Sequence, residues 1–208
     1  MSRKAVFLDK DGTLIENHPF DRSPEHIEWL PGTIEGLRLL HHAGYALIVV
    51  SNQGGAAQGR FTVEDLLREE LGLRAELAKF HVPLTGYYCC PHHPEGTVPS
   101  FSVDCYCRKP NPGLLMQAAG ELHIDLAHSW MIGDILHDVE AGRAAGCRTI
   151  LLTNGNETEW NLTPLRWPNF IADEMFEAAR LITFTDLIAT DDRACTMTDR
   201  KSHDGDCR

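Results

Sequence analysis

Five short apolar runs, at residues 5–8, 46–50, 87–89, 130–132 and 149–152, recur along the chain with amphipathic stretches between them. Unbroken runs of this length, rather than alternating ones, belong to strands buried on both faces. Ile34, Leu37 and Leu40 fall at helical spacing over 33–43, and Gly44 follows as a stop. Thr62, followed by Glu64 and Asp65, opens a second helix running toward Phe80, with Gly72 its weak point. Pro112 opens a third helix, and residues 138–145, closed by Gly146, form a fourth. Strands alternating with helices fold as βαβ units. The expected fold is α/β, a three-layer, Rossmann-like parallel sheet.

A length of 208 residues predicts one domain, placed at 1–185. From residue 186 onward, Asp186, Asp191, Asp192, Asp199, Asp204 and Asp206 stand among small polar groups, which predicts a disordered tail over 186–208. The net charge of −11 argues against a general binder of nucleic acid or of anionic membranes. No apolar run approaches the ~20 residues of a membrane span. Residues 1–4 lead into only four apolar residues before Asp9, too few for a signal-peptide core. A cytoplasmic monomer with reduced thiols is therefore expected. The N-x-T sequons at Asn156 and Asn161 carry no meaning without export.

In a parallel sheet, ligands bind beyond the C-terminal strand ends. Asp9-Lys10-Asp11-Gly12-Thr13 follows the first run. In extended chain, positions two apart face one side, so Asp9 and Asp11 converge while Lys10 points away. Two crowded carboxylates need a metal, a cation or a shared proton between them. Gly133-Asp134 with Asp138 follows the fourth run. Acids from two strand ends supply the oxygen ligands that Mg²⁺ takes. Ser51-Asn52-Gln53-Gly54-Gly55 follows the second run and suits phosphate oxygens. Arg108-Lys109 places two cations just before a helix.

Four of the seven cysteines, Cys89, Cys90, Cys105 and Cys107, fall within nineteen residues. The spacing C-x-H with C-x-C supplies three thiolates and an imidazole, the closed ligand set of structural zinc. Cys90, His92, Cys105 and Cys107 are the expected Zn²⁺ ligands in a loop over 89–108. His93 in place of His92, or unpaired core thiols, remain open, and Cys89 is expected to point the other way.

In order and spacing, these four loops resemble the motifs of the haloacid dehalogenase-like (HAD) phosphohydrolases, over roughly residues 4–155. The resemblance implies that Asp9 is the nucleophile and that Asp11 is the acid and base, protonated for the first step. It implies that Ser51 and Lys109 hold the transferring phosphoryl group. Mg²⁺ would be bound by Asp9, Asp134 and the Asp11 carbonyl, with Asn52, Gln53 and Arg108 as substrate contacts. No large cap domain fits between the first two motifs, so the site should be open, walled by residues 16–30 and the zinc loop. The cysteine loop resembles that of the histidinol-phosphatase and heptose-bisphosphatase branch. Its string through Cys107-Arg108-Lys109-Pro110-Asn111-Pro112-Gly113 is most similar to the heptose-bisphosphatase side. That implies a small phosphosugar substrate, heptose 1,7-bisphosphate losing its 7-phosphate, with histidinol phosphate as the alternative. In the histidinol case Glu16 or Glu95 would meet the product amine. A zinc-stabilised interaction module without activity is the non-enzyme alternative. Gln58 and Ile135 stand where that branch carries cations.

Overall fold

The computed structural model describes residues 2–199, with side chains through residue 188. Six parallel strands, β1 (Ala5–Leu8), β2 (Ala46–Asn52), β3 (Gly86–Cys90), β4 (Trp130–Gly133), β5 (Arg148–Leu152) and β6 (Phe170–Ala172), form one sheet. Their order is β3-β2-β1-β4-β5-β6, so β1 and β4 sit at its centre. The helices are α1 (Thr33–His42), α2 (Val63–Lys79), α3 (Gly113–Leu122), α4 (Leu136–Ala145) and α5 (Met175–Asp199).

Period-two alternation divides each central strand between two cores. Val6 and Leu8 of β1 face one layer, with Leu37 and Leu40 of α1, Leu73 and Leu77 of α2, and Ala178 and Ile182 of α5. Ala5 and Phe7 face the other, with Leu114, Leu115 and Ala118 of α3 and Ala141 of α4. Each fully buried aliphatic or aromatic side chain contributes about 1.5–3 kcal/mol. The three-layer sheet is the one expected, and the segment between β1 and β2 holds only α1 and a short 3₁₀ turn, with no cap domain.

Local signals placed several boundaries. Thr62 caps α2, its hydroxyl accepting from the Asp65 amide while the Asp65 carboxylate accepts from the Thr62 amide. Gly72 does not break α2; Pro24 packs against it so closely that a side chain there would clash. Gly146, with φ of +89°, closes α4.

The chain beyond β5 departs from expectation. β6 and α5 follow it, and α5 continues past residue 186, where a tail was placed. Asp186 is tied to the domain by Lys4 Nζ at 2.7 Å, Tyr45 Oη at 2.6 Å and Arg148 Nη2 at 3.4 Å. An acid-rich composition hid the fact that this aspartate has local cations to meet. Residues 200–208 of the expected tail lie outside the described residues. Trp160 and Trp167 line a groove beside β6 and are 54% and 61% exposed. Among the described residues, no helix is long and apolar enough to cross a membrane.

Candidate active site

The C-terminal ends of β1, β2 and β4 open into a cavity of about 410 Å³ that holds Asp9, Asp11, Ser51, Lys109, Asp134 and Asp138. The Asp9 amide donates to the Ile132 carbonyl at 3.0 Å, extending the central ladder one residue past β1. The chain then turns tightly, with Leu14 and Ile15 amides both donating to the Lys10 carbonyl. Gly12 makes that turn at φ +85°, and a methyl group there would lie 2.3 Å from Asp134 Oδ2. A larger residue would therefore drive the first loop off the fourth.

Lys109 Nζ lies 2.5 Å from Asp9 Oδ1 and 2.6 Å from Asp138 Oδ1, with all three side chains buried. Burial works against the ammonium, but Asp138 and Asp9 outweigh it and hold Lys109 charged. Asp138, for which the sequence suggested no definite role, thus anchors the site lysine. Gly133 is required beside it, since a Cβ there would sit 2.2 Å from Asp138 Cβ.

Asp9, Asp134 and Asp138 bring carboxylate oxygens within 4.8 Å of one another. Burial pushes Asp9 up to about 8; Lys109 opposes the shift, and Asp138 and Asp134 add to it. Burial and then Asp138 push Asp134 up to about 6, against hydrogen bonds from Asn156 and Thr13. Buried carboxylates this crowded favour a cation among them. A hard cation with oxygen ligands, such as Mg²⁺, fits this donor set.

Lys10 is not among the cavity's lining residues, but its side chain returns to Asp11. Its ammonium, fully buried, reaches 2.8 Å from Asp11 Oδ1 and 2.6 Å from Glu69 Oε1 on α2. Arg22 joins them, 2.8 Å from the same Glu69 oxygen and 3.5 Å from Asp11 Oδ2. Strand alternation fixes where Cβ points, but a lysine stem is long enough to fold back. Burial raises the Asp11 carboxyl, yet Lys10 and Arg22 outweigh it and hold it below the usual range. Lys10 and Arg22 thus favour the carboxylate form of Asp11 in the substrate-free protein.

The β2 loop residues converge on the cavity, though their amides serve other site residues first. Asn52 Nδ2 donates to the Lys109 carbonyl at 2.9 Å, and Asn52 Oδ1 accepts from the Lys109 amide at 3.0 Å. Gln53 Nε2 donates to Asp11 Oδ2 at 2.7 Å and to Ser51 Oγ at 2.8 Å. Arg108 Nη1 donates to the His92 carbonyl at 3.2 Å and lies beside Gly54. Of residues 16–30, it is Asn17, Pro19, Phe20 and Arg22 that wall the cavity. His18, His26, Glu16 and Glu95 are not among its lining residues, nor are those of the zinc loop before Lys109.

Cys90, His92, Cys105 and Cys107 converge as one cluster. Cys107 Sγ lies 3.2 Å from Cys90 Sγ and 3.3 Å from Cys105 Sγ, and His92 Nδ1 lies 3.2 Å from Cys107 Sγ. The sulfurs are too far apart for disulfides and are spaced as ligands around one soft cation. His93 is outside the cluster and accepts from the Glu95 amide. Cys89 is also outside it; its thiol is pushed up to about 11 by burial first and then by Glu69. The cluster joins the end of β3 to the segment before α3, which carries Lys109 into the cavity.

Sequence reasoning missed Glu69, Arg22 and Asn156. Glu69 is a buried acid on an amphipathic helix, a signal that could have been read. Asn156 was passed over as an idle sequon, yet its Nδ2 donates to Asp134 Oδ2 at 2.8 Å.

The HAD-hydrolase-like family profile matches residues 106–178. The chain is 44% identical over 148 residues to the D-glycero-beta-D-manno-heptose-1,7-bisphosphate 7-phosphatase of Yersinia pestis, covering 71% of this chain and 79% of that one. It is 41% identical over 170 residues to the protein of the same name from Escherichia coli K12, covering 77% and 89%. It is also similar to the crystal structure of D,D-heptose 1,7-bisphosphate phosphatase from B. bronchiseptica complexed with magnesium and phosphate. There the TM-score is 0.71 at 25% identity, covering 88% of this chain and 99% of that one.

Proposed function

Because the chain belongs to the D-glycero-beta-D-manno-heptose-1,7-bisphosphate 7-phosphatase family of HAD-like hydrolases, we propose that it removes the 7-phosphate of heptose 1,7-bisphosphate as a Mg²⁺-dependent phosphomonoesterase. The chemistry rests on one observation above all: Asp9, Lys109 and Asp134 share one cavity with Asp11. The relatives of that name at 44% and 41% identity support the phosphosugar over histidinol phosphate.

An Asp9 oxygen attacks phosphorus, and the bond from phosphorus to the sugar oxygen breaks, leaving an acyl phosphate on Asp9. The covalent intermediate splits one very slow hydrolysis into two easier steps. Lys109 and Ser51 hold the transferring oxygens, and Lys109 lowers the repulsion between carboxylate and phosphate. Mg²⁺, held by Asp9, Asp134 and the Asp11 carbonyl, would supply further charge neutralisation. Asp11, held low by Lys10 and Arg22 before substrate binds, takes a proton from solvent as the dianionic substrate enters and gives it to the leaving sugar oxygen. It then takes a proton from the water that attacks phosphorus, and Asp9 is restored. Asn52 and Gln53 act by fixing Lys109 and Asp11 at the substrate's edge, and Arg108, beside Gly54, contacts the phosphate that stays. Cys90, His92, Cys105 and Cys107 would hold Zn²⁺, which would keep the Arg108-Lys109 segment in place. The reading includes a cytoplasmic monomer.

Phosphorus NMR of heptose 1,7-bisphosphate incubated with the protein and Mg²⁺ tests this directly. The 7-phosphate resonance should convert to inorganic phosphate while the 1-phosphate persists. Faster turnover of histidinol phosphate under the same conditions would overturn the substrate assignment.

A further inference from the structure

The loop after β5 reaches the site at three points. Asn154 Nδ2 donates to the Gly12 carbonyl in the first loop. Asn156 Nδ2 donates to Asp134 Oδ2 at 2.8 Å. Glu157 Oε2 accepts from the Leu136 amide at 2.5 Å, at the start of α4. The loop thus ties the turn after β1 to the turn after β4.

Asp134 is the acid this arrangement controls. Thr13 Oγ1 donates to Oδ1 at 3.1 Å while Asn156 holds Oδ2, so each carboxylate oxygen has its own donor. Two donors on opposite oxygens fix the carboxylate plane. The packing is close, since a methyl group on Gly12 would lie 2.3 Å from Asp134 Oδ2 and 2.6 Å from Asn156 Nδ2. An amide donor is neutral, so it orients the carboxylate without competing with a cation for its charge, as a lysine would.

We infer that Asn156 is a positioning residue for Mg²⁺: it presets Asp134 in the orientation that receives the cation. This rests on the metal-dependent reading above. Outer partners that orient metal ligands are typically worth 10–100-fold in metal affinity. Without the amide, Oδ2 loses its side-chain donor and the carboxylate regains rotational freedom that the cation must then remove.

Isothermal titration of Mg²⁺ into the substrate-free protein tests this. Asn156→Ala should weaken Mg²⁺ binding roughly 10–100-fold. The Mg²⁺ concentration for half-maximal activity should rise by the same factor, and most of the lost rate should return when Mg²⁺ saturates. A merely structural role would lower kcat at every Mg²⁺ concentration. Should Asn156→Ala fail to fold, Asn156→Leu, similar in size but lacking the donor, carries the same expectation. Equal Mg²⁺ affinity in wild type and variant would overturn the positioning role. A wild-type protein that binds no Mg²⁺ would overturn the metal-dependent reading itself.

Discussion

The Asp138 carboxylate lies 2.6 Å from the Lys109 ammonium, which also meets Asp9 at 2.5 Å, so the lysine is held between two buried carboxylates. A buried ammonium between two buried acids is held in place by both, and removing either releases it. Asp138→Asn keeps the shape but loses the charge. Misplacing a positioning group by about 1 Å can cost roughly 100-fold in rate. Steady-state kinetics on a phosphomonoester should show kcat falling about 10–100-fold, with a smaller change in KM. An unchanged kcat would show that Lys109 needs no such anchor.

Zinc should be one tightly bound ion per chain, distinct from exchangeable Mg²⁺. Its four ligands span from the end of β3 to the segment before α3, so losing one loosens the approach of Lys109. Cys105→Ser should lose most of its zinc by elemental analysis, along with stability and activity. Structural zinc carries several kcal/mol of folding free energy, and each kcal/mol shifts Tm by roughly 2–4 °C in a chain of this length. Wild-type protein without zinc and with four freely titrating thiols would refute the site.

Asp186 predicts a pH-dependent contribution to stability. Burial raises its carboxyl, but Lys4, Tyr45 and Arg148 together hold it below the usual range. A depressed folded-state value means the contribution is present above the unfolded pKa of about 3.9 and is lost as pH falls through the folded value. The ion pairs are partly exposed, so Asp186→Asn should cost about 1 kcal/mol at pH 7. Denaturant titration should show that difference vanishing in strong acid. A difference that persists there would locate the effect in packing instead.

Much of the site was legible because parallel strands end where ligands bind, so Asp9, Ser51 and Asp134 could be read from their positions after apolar runs. The cysteine cluster was legible because zinc demands soft ligands at close spacing. What escaped depends on contacts between distant segments. Glu69 lies 59 residues from Lys10, and no local pattern announces that their charges meet. The downward shift of the Asp11 carboxyl comes from that same network. Helix α5 was lost because composition outweighed the helical spacing of Ala178, Ala179 and Ile182, all fully buried.

Substrate selectivity should turn on Arg108. Lys109 is committed between Asp9 and Asp138, whereas the Arg108 side chain is held by a backbone carbonyl beside Gly54. A guanidinium grips phosphate in two-pronged fashion, worth about 1.5–3 kcal/mol for a charged contact. Arg108→Ala should lower kcat/KM for the bisphosphate roughly 10–100-fold more than for a monophosphate, and Gln58→Arg should sharpen that preference. An equal loss on both substrates would remove Arg108 from the role.

The most direct test is the rate of Mg²⁺-dependent phosphate release by Asp9→Asn, in protein free of wild type and with unchanged circular dichroism. Asp9 ends the central strand, faces Lys109 at 2.5 Å, and is assigned both the nucleophile's role and a share of the metal. The substitution should reduce turnover by many decades, to the limit of detection. Retention of more than a few per cent of wild-type turnover would contradict covalent catalysis through Asp9.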